Sequence, residues 1–357
     1  MKLSWKPTLV LTMIAGVALS SVAQGREPPQ VGRILYTRFD ALYVTDVSGS
    51  QGRLLVKGVR AAALSPEGDL VAYADEKAIR VLSLANGQSV TLASWQDGRI
   101  EGLAWSPIQT AVAYQLAQAD GSKLFLAAYP PRTEPARNLG PWYEAISFSP
   151  NGKLILHPAH LAGTTNHGLE VVHVDTGKRD VLFAAPALRS IFEAEYSPDG
   201  SRIAFTLSQP PPPAPPEDEP DCSGPELHLW VLTVDSKSLV EIDLSRVQQA
   251  WTNVKDFAWS PGGKFLAIGI GTVDCDYPGS ANGVFVTSVD QTVQFKLSRG
   301  QQSLGALFAP DGKQVVFTEY GDDAYHPQLV VGELATRKLT PIANTRSHEV
   351  PTALDWK

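Results

Sequence analysis

Short apolar runs alternate with short polar breaks along the whole chain, and nowhere is a helical period sustained. Leu70–Ala74, Ile79–Leu84 and Ser89–Ala93 follow one another at strand length, and runs such as Arg202-Ile203-Ala204-Phe205 and Gln314-Val315-Val316-Phe317 recur further on. Runs of this size bounded by turn residues predict β-strands. A short phrase punctuates them: Leu64-Ser65-Pro66-Glu67-Gly68, Trp105-Ser106-Pro107, Phe148-Ser149-Pro150-Asn151-Gly152, Tyr196-Ser197-Pro198-Asp199-Gly200, Trp259-Ser260-Pro261-Gly262-Gly263 and Phe308-Ala309-Pro310-Asp311-Gly312. Proline presets φ for the second turn position, Asp, Asn or Glu suits the third, and glycine tolerates the position after them.

The prolines stand at 66, 107, 150, 198, 261 and 310, so the intervals are 41, 43, 48, 63 and 49 residues. A unit of roughly 40–45 residues with four short strands is the signature of a propeller blade, and the longer intervals hold insertions. Before each phrase runs an inner strand that ends on a large side chain and usually has a small one two places before the serine (Ala63, Ala104, Ser147, Ala258). Pro351–Lys357 imitates that inner strand, while Arg33–Arg38, Ala41–Val47 and Arg53–Lys57 read as three strands lacking one. Pairing the two ends removes a sheet edge. The expectation is an all-β, seven-bladed β-propeller of four-stranded blades, closed by the C-terminal strand; six blades is the alternative.

The first residues change the picture of where the chain works. Lys2 and Lys6 precede an apolar run from Leu9 to Leu19 and the small-x-small ending Ser21-Val22-Ala23. That reads as a secretory signal peptide over 1–23, cleaved after Ala23, with a linker over 24–32 and the propeller over 33–357. Loss of Lys2 and Lys6 from 30 basic residues, against 37 acidic ones, leaves a formal charge of −9. An acidic chain without a basic patch argues against nucleic acid as partner. No second segment is apolar enough to act as an anchor, and no cysteine follows the leader to take a lipid. An exported, soluble monomer is expected. Cys222 and Cys275 fall on the same connection of adjacent blades, so an oxidising compartment would favour their disulfide over two free thiols. The acidic polyproline tract from Gln209 to Pro220 reads as a stiff surface loop, or as a docking strand for a proline-reading groove.

The copy Ser197-Pro198-Asp199-Gly200-Ser201-Arg202-Ile203-Ala204-Phe205 resembles the β-propeller repeats of the TolB family, and Val174-Asp175-Thr176-Gly177 fits the ending of that family's third strand. The resemblance spans the mature chain and implies the fold; it implies no single function, since such repeats occur in periplasmic scaffolds, peptidase accessory domains and lyases. The α/β domain that precedes the propeller of TolB itself has no counterpart in residues 24–32. Nor is there a Gly-x-Ser-x-Gly for a serine peptidase.

Candidate chemistry gathers on one side. Connections between second and third strands, and from outer strand to next inner strand, emerge on one face, and there the elaboration lies. Trp95, Trp142, Tyr143, Trp251, Arg346 and His348 lead into inner strands, while Glu193 and Asp256 occupy inner-strand positions that are small elsewhere (Ala61, Gly102, Ala145, Gly305). Glu195 likewise departs from a small position. These residues are expected to converge at one channel mouth, with Arg60, Glu101, Glu144 and Lys255 as candidate ion partners. Aromatic anchors beside charges suit an envelope protein, peptide or glycan ligand, and the function expected is non-enzymatic binding without a cofactor. The alternative is a metal-dependent polysaccharide lyase or hydrolase using His157, His160, His167 or His326 with Glu193 and Asp256, because oligogalacturonate lyases of similar build use histidine ligands around a metal. Asp274, Asp276, Asp322 and Asp323 offer oxygen for calcium but lack the Asp-x-Asp-x-Asp-Gly spacing.

Overall fold

The repeated phrase folds as a hairpin whose serine does more than occupy a turn. Its hydroxyl oxygen accepts the backbone N–H five residues later, from Leu70 to Ser65 (3.0 Å), Leu154 to Ser149 (2.9 Å), Arg202 to Ser197 (2.9 Å) and Phe265 to Ser260 (2.9 Å). The glycine takes a left-handed backbone, with φ of 71° at Gly68, 73° at Gly200 and 70° at Gly312. A side chain there would be strained, which is why the phrase ends as it does. Each serine is buried, so its hydroxyl must find partners inside the hairpin.

The computed structural model describes residues 32–48, 52–108, 110–142, 146–161, 163–164, 166–209, 226–245, 252–272, 281–300, 303–320, 327–344 and 351–357. They form seven four-stranded antiparallel sheets, the blades of a seven-bladed β-propeller. Six blades run in chain order from the inner strand outward. Blade 1 is the exception: Ile34–Arg38, Ala41–Thr45 and Arg53–Lys57 supply three strands, and Pro351–Trp356 supplies the inner one. Ile34 pairs with Trp356 and Arg38 with Pro351, and Lys357 exchanges backbone hydrogen bonds with Arg33. Blades 2 to 7 begin with the inner strands Ala61–Leu64, Arg99–Trp105, Ser147–Phe148, Ile191–Tyr196, Thr252–Trp259 and Ser303–Phe308. The six-bladed alternative is excluded.

The hydrophobic core is not one mass but seven slabs, each between neighbouring blades. Blades 1 and 2 share Leu35, Leu42, Leu64 and Tyr73; blades 5 and 6 share Leu229, Val254, Trp259 and Ile268; blades 7 and 1 share Ile34, Val316, Ala353 and Trp356. Trp105 and Trp259 end their inner strands by donating their indole N–H to the preceding blade, to the carbonyls of Ala63 (3.0 Å) and Glu195 (3.3 Å). Bulk and a directional bond are thus both placed on the radial joint. In all but two blades the inner strand also carries a register shift against its neighbour, at Glu101, Phe192–Glu193, Lys255, Gly305–Ala306 and Leu354.

Deleting Pro351–Lys357 should open the ring at blade 1, expose the edge at Ile34–Arg38 and empty the slot of Trp356, whose side chain is buried. Loss of one large buried aromatic alone costs about 3–5 kcal/mol. The truncated chain should melt roughly 10 °C or more below the intact one. A change under about 2 °C would contradict closure by this strand.

Candidate functional site

The inner strands present two kinds of residue to the channel, and the carboxylates among them are engaged with backbone. Asp256 of blade 6 accepts the N–H groups of Gly305 (3.1 Å) and Ala306 (3.2 Å) of blade 7. Gly305 has φ of 71°, and this turn aims two successive amides at one carboxylate. Gly269 on the adjacent strand leaves the room, since a Cβ there would lie 2.5 Å from Asp256 Oδ2. Burial raises the carboxyl of Asp256, opposed by those two amides.

A second set of contacts lies two residues before the phrase serine, or before Lys357 in the last strand. Ser147 Oγ accepts the N–H of Tyr196 (3.2 Å), and Asp355 Oδ2 accepts that of Leu64 (3.1 Å). Glu195 accepts the backbone N–H of Trp259, the same step from one blade to the next. Burial pushes Glu195 up to about 7; Lys357 and the Trp259 amide pull it down, and the charge of Asp355 adds to the rise. Asp355 is raised by burial too, with Lys357 Nζ 3.5 Å from its Oδ1. Glu195 and Asp355 come from blades 5 and 1, so charges on different blades of the ring influence one another at this end of the channel.

The sequence-predicted residues sort differently from the expected cluster. Trp142 is completely buried and stacks on His157 at 4.0 Å between ring centroids, in the slab between blades 3 and 4. It packs the joint instead of standing at the channel mouth, because the chain entering blade 4 folds it inward over the second strand. Trp95 is half-buried and stacks on Tyr114 (6.1 Å) of blade 3. Glu193 sits half-buried in the bulge of blade 5, its N–H bonded to Thr206 Oγ1 at 3.2 Å. Asp256 is fastened to blade 7 through the two amides. Arg60 pairs with Glu76 (3.3 Å) and Glu101 with Arg99 (2.7 Å), not with the inner-strand acids. Tyr143, Glu144, Trp251, Arg346, His348, Cys222, Cys275, His326, Asp274, Asp276, Asp322, Asp323, the tract over 210–220 and the leader lie outside the described residues.

The three histidines of blade 4 also separate. His157 is buried; Arg179 Nη1 donates to its Nδ1 (3.0 Å) and also reaches Glu170 (3.3 Å). Burial, then the charge of Arg179, lowers His157 to about 3, so it is neutral and its 3.9 Å approach to Glu170 is not an ion pair. His160 and His167 stand together at the strand ends on the loop-rich face, ring centroids 3.8 Å apart. No group of three or more His, Cys, Asp or Glu capable of holding a metal occurs among the described residues.

Residues that sequence reasoning missed include Asp355, Arg179 and the exposed apolar side chains Phe39 and Leu188. Asp355 could have been found, because it occupies in the last strand the slot of Glu195 in blade 5. Phe39 and Leu188 lie on loop-rich connections, 71% and 78% exposed, each with a left-handed backbone. On the same face, where blade 5 meets the connection to blade 6, a recess of about 310 Å³ is lined by His228, Leu229, Glu241, Ile242, Asp243, Leu244 and Ser245.

With this geometry established, known proteins place the fold. No family model and no curated protein matches the chain. Among solved structures it is similar to a protein described as a TolB from Agrobacterium tumefaciens (TM-score 0.54, 16% identity, 79% of this chain and 95% of that one). It is also similar to TolB from Acinetobacter baumannii (0.50, 17%, 88% and 78%) and to an oligogalacturonate lyase in complex with manganese (0.61, 13%, 83% and 84%). The architecture is that of TolB-like β-propellers.

The raised carboxyl of Glu195 makes a signed prediction. Its ordinary value is 4.5 and its folded value about 7, so the folded state holds the extra proton between them. Stability from this group is full below about 4.5 and falls as pH rises through 7. Glu195→Gln keeps an acceptor for Trp259 and removes the titration. Melting from pH 5 to 8 should show the variant gaining about 1–2 kcal/mol on the wild type as pH rises. Parallel melting profiles would contradict this environment for Glu195.

Proposed function

We propose that the chain is an exported, non-enzymatic binding propeller that engages a protein or peptide of the cell envelope on its loop-rich face. The supporting observation is the division of labour between the two parts of the ring. Channel carboxylates Glu195, Asp256 and Asp355 are spent on neighbouring backbone amides. Phe39 and Leu188, the two most exposed large apolar side chains among the described residues, and the recess beside His228 and Glu241 lie on the loop-rich side. Exposed Phe39 and Leu188 on constrained turns are available as anchors, and Glu241 and Asp243 favour a basic or hydrogen-bonding group in the recess. Export rests on the leader-like residues 1–23, and the Cys222–Cys275 disulfide belongs to the same proposal. Tyr143, Trp251, Arg346, His348 and Glu193 remain the proposed channel-mouth contributors. The lyase reading loses ground because His157, one of its ligands, is buried with Nδ1 turned to Arg179.

Trp142 is too deeply packed to serve as a test position, so the test uses side chains that can change without emptying the core. Phe39→Glu with Leu188→Glu should reduce capture of partners from an envelope extract by about tenfold, with an unchanged melting temperature. Ile108→Glu, an exposed position on the opposite hairpin turns, should leave capture unchanged. Loss with Ile108→Glu and retention with the double variant would reverse the assignment of faces.

A further inference from the structure

Five histidines fall among the described residues, and they differ in what their ring nitrogens do. His173 faces Asp180 (2.8 Å), His228 lies between Glu226 (3.2 Å) and Glu241, and His157 is bonded to Arg179 (3.0 Å). The imidazole nitrogens of His160 and His167 make no hydrogen bond or ion pair to any described residue; the ring beside each is the other. The two are directly opposed across blade 4, where Leu154–His160 pairs with His167–His173. Their ring centroids are 3.8 Å apart and the rings are tilted by 58°, so they converge at an angle instead of lying flat.

The pair is held in place before any ligand arrives. Leu161 N–H donates to the Asn166 carbonyl (2.9 Å), Thr164 bonds back to Leu161 O through its N–H (3.1 Å) and its Oγ1 (3.0 Å), and this closes the hairpin beyond both histidines. Behind His167, Gly168 packs so closely that a Cβ would lie 2.7 Å from Leu161 and 2.5 Å from the carbonyl of Phe183. His160 is exposed and His167 half-buried, which leaves the rings open to solvent on one side. Neutral imidazole, with a lone pair on one nitrogen, is the form that binds metal.

We propose that His160 and His167 form a two-imidazole site for a divalent transition metal ion on the loop-rich face. Two imidazole nitrogens bound to one tetrahedral ion at the usual metal–nitrogen distance lie about 3.3 Å apart, within reach of rings this close. Nitrogen ligands select copper, nickel and zinc and disfavour calcium and magnesium. Two protein ligands leave coordination positions for water or for a donor from another molecule. The site differs from the histidine–carboxylate alternative raised by the sequence, because His157 is buried elsewhere in the blade and Asp256 is bonded to blade 7.

Calorimetric titration of the metal-stripped, tag-free chain with Ni²⁺ and with Zn²⁺ at pH 7.5 tests the proposal. One ion per chain should bind, and His160→Ala and His167→Ala should each weaken binding at least tenfold. His173→Ala, which touches a carboxylate outside the pair, should leave it within twofold, and Ca²⁺ should produce no heat at the same concentrations. Melting curves establish that each variant is folded, and His160→Gln with His167→Gln repeats the test if an alanine variant is not. Absence of saturable binding by the wild type would overturn the proposal. So would binding within twofold of wild type in either folded single variant, including binding carried by His326 or His348 instead.

Discussion

The inner strand of every blade has only one hydrogen-bonding neighbour, and that constraint governs the rest of the ring. Its other edge turns N–H and C=O groups towards the channel, where seven strands crowd together and full hydration is limited. An amide left without a partner in such a place costs about 1–3 kcal/mol. The chain meets this by reaching across from blade to blade. Ser147 serves Tyr196, Glu195 serves Trp259, Asp256 serves Gly305 and Ala306, and Asp355 serves Leu64. In the other direction, Trp105 and Trp259 bond carbonyls of the preceding blade.

These bonds join what the slabs of apolar side chains only press together. Hydrophobic packing between blades is non-directional, whereas a carboxylate that accepts two amides fixes the angle at which one blade meets the next. They also have an electrical consequence. Carboxyl groups held in a crowded channel resist ionisation, and Glu195 with Asp355 share the influence of Lys357. Acidic residues in a channel that resemble a catalytic pair are, in this ring, fasteners.

Much of the fold was legible from the chain alone. The hairpin phrase and its spacing specified six units, and the likeness of Ala353–Trp356 to an inner strand supplied the seventh and located the closure, because both depend on local turn chemistry and period. Glu193, Glu195 and Asp256 also stood out as charges in small positions. What they do was not legible, since it depends on Gly305 turning its amide and Gly269 lacking a Cβ, two features far apart in sequence. Trp142 misled for a related reason: a tryptophan in a connection looks like an anchor, and only the stacking of His157 beneath it shows that it closes a joint. The histidines were grouped by nearness in sequence, whereas strand alternation and Arg179 separate His157 from the His160–His167 pair.

Amide hydrogen exchange in Asp256→Ala addresses the fastening role most directly. Loss of a charged acceptor for two amides should destabilise the chain by about 3 kcal/mol and accelerate exchange at Gly305 and Ala306, while the outer strand Leu339–Asn344 of the same blade keeps its protection. Unchanged exchange at Gly305 and Ala306 in a variant as stable as the wild type would show that the channel carboxylates do not fasten the blades.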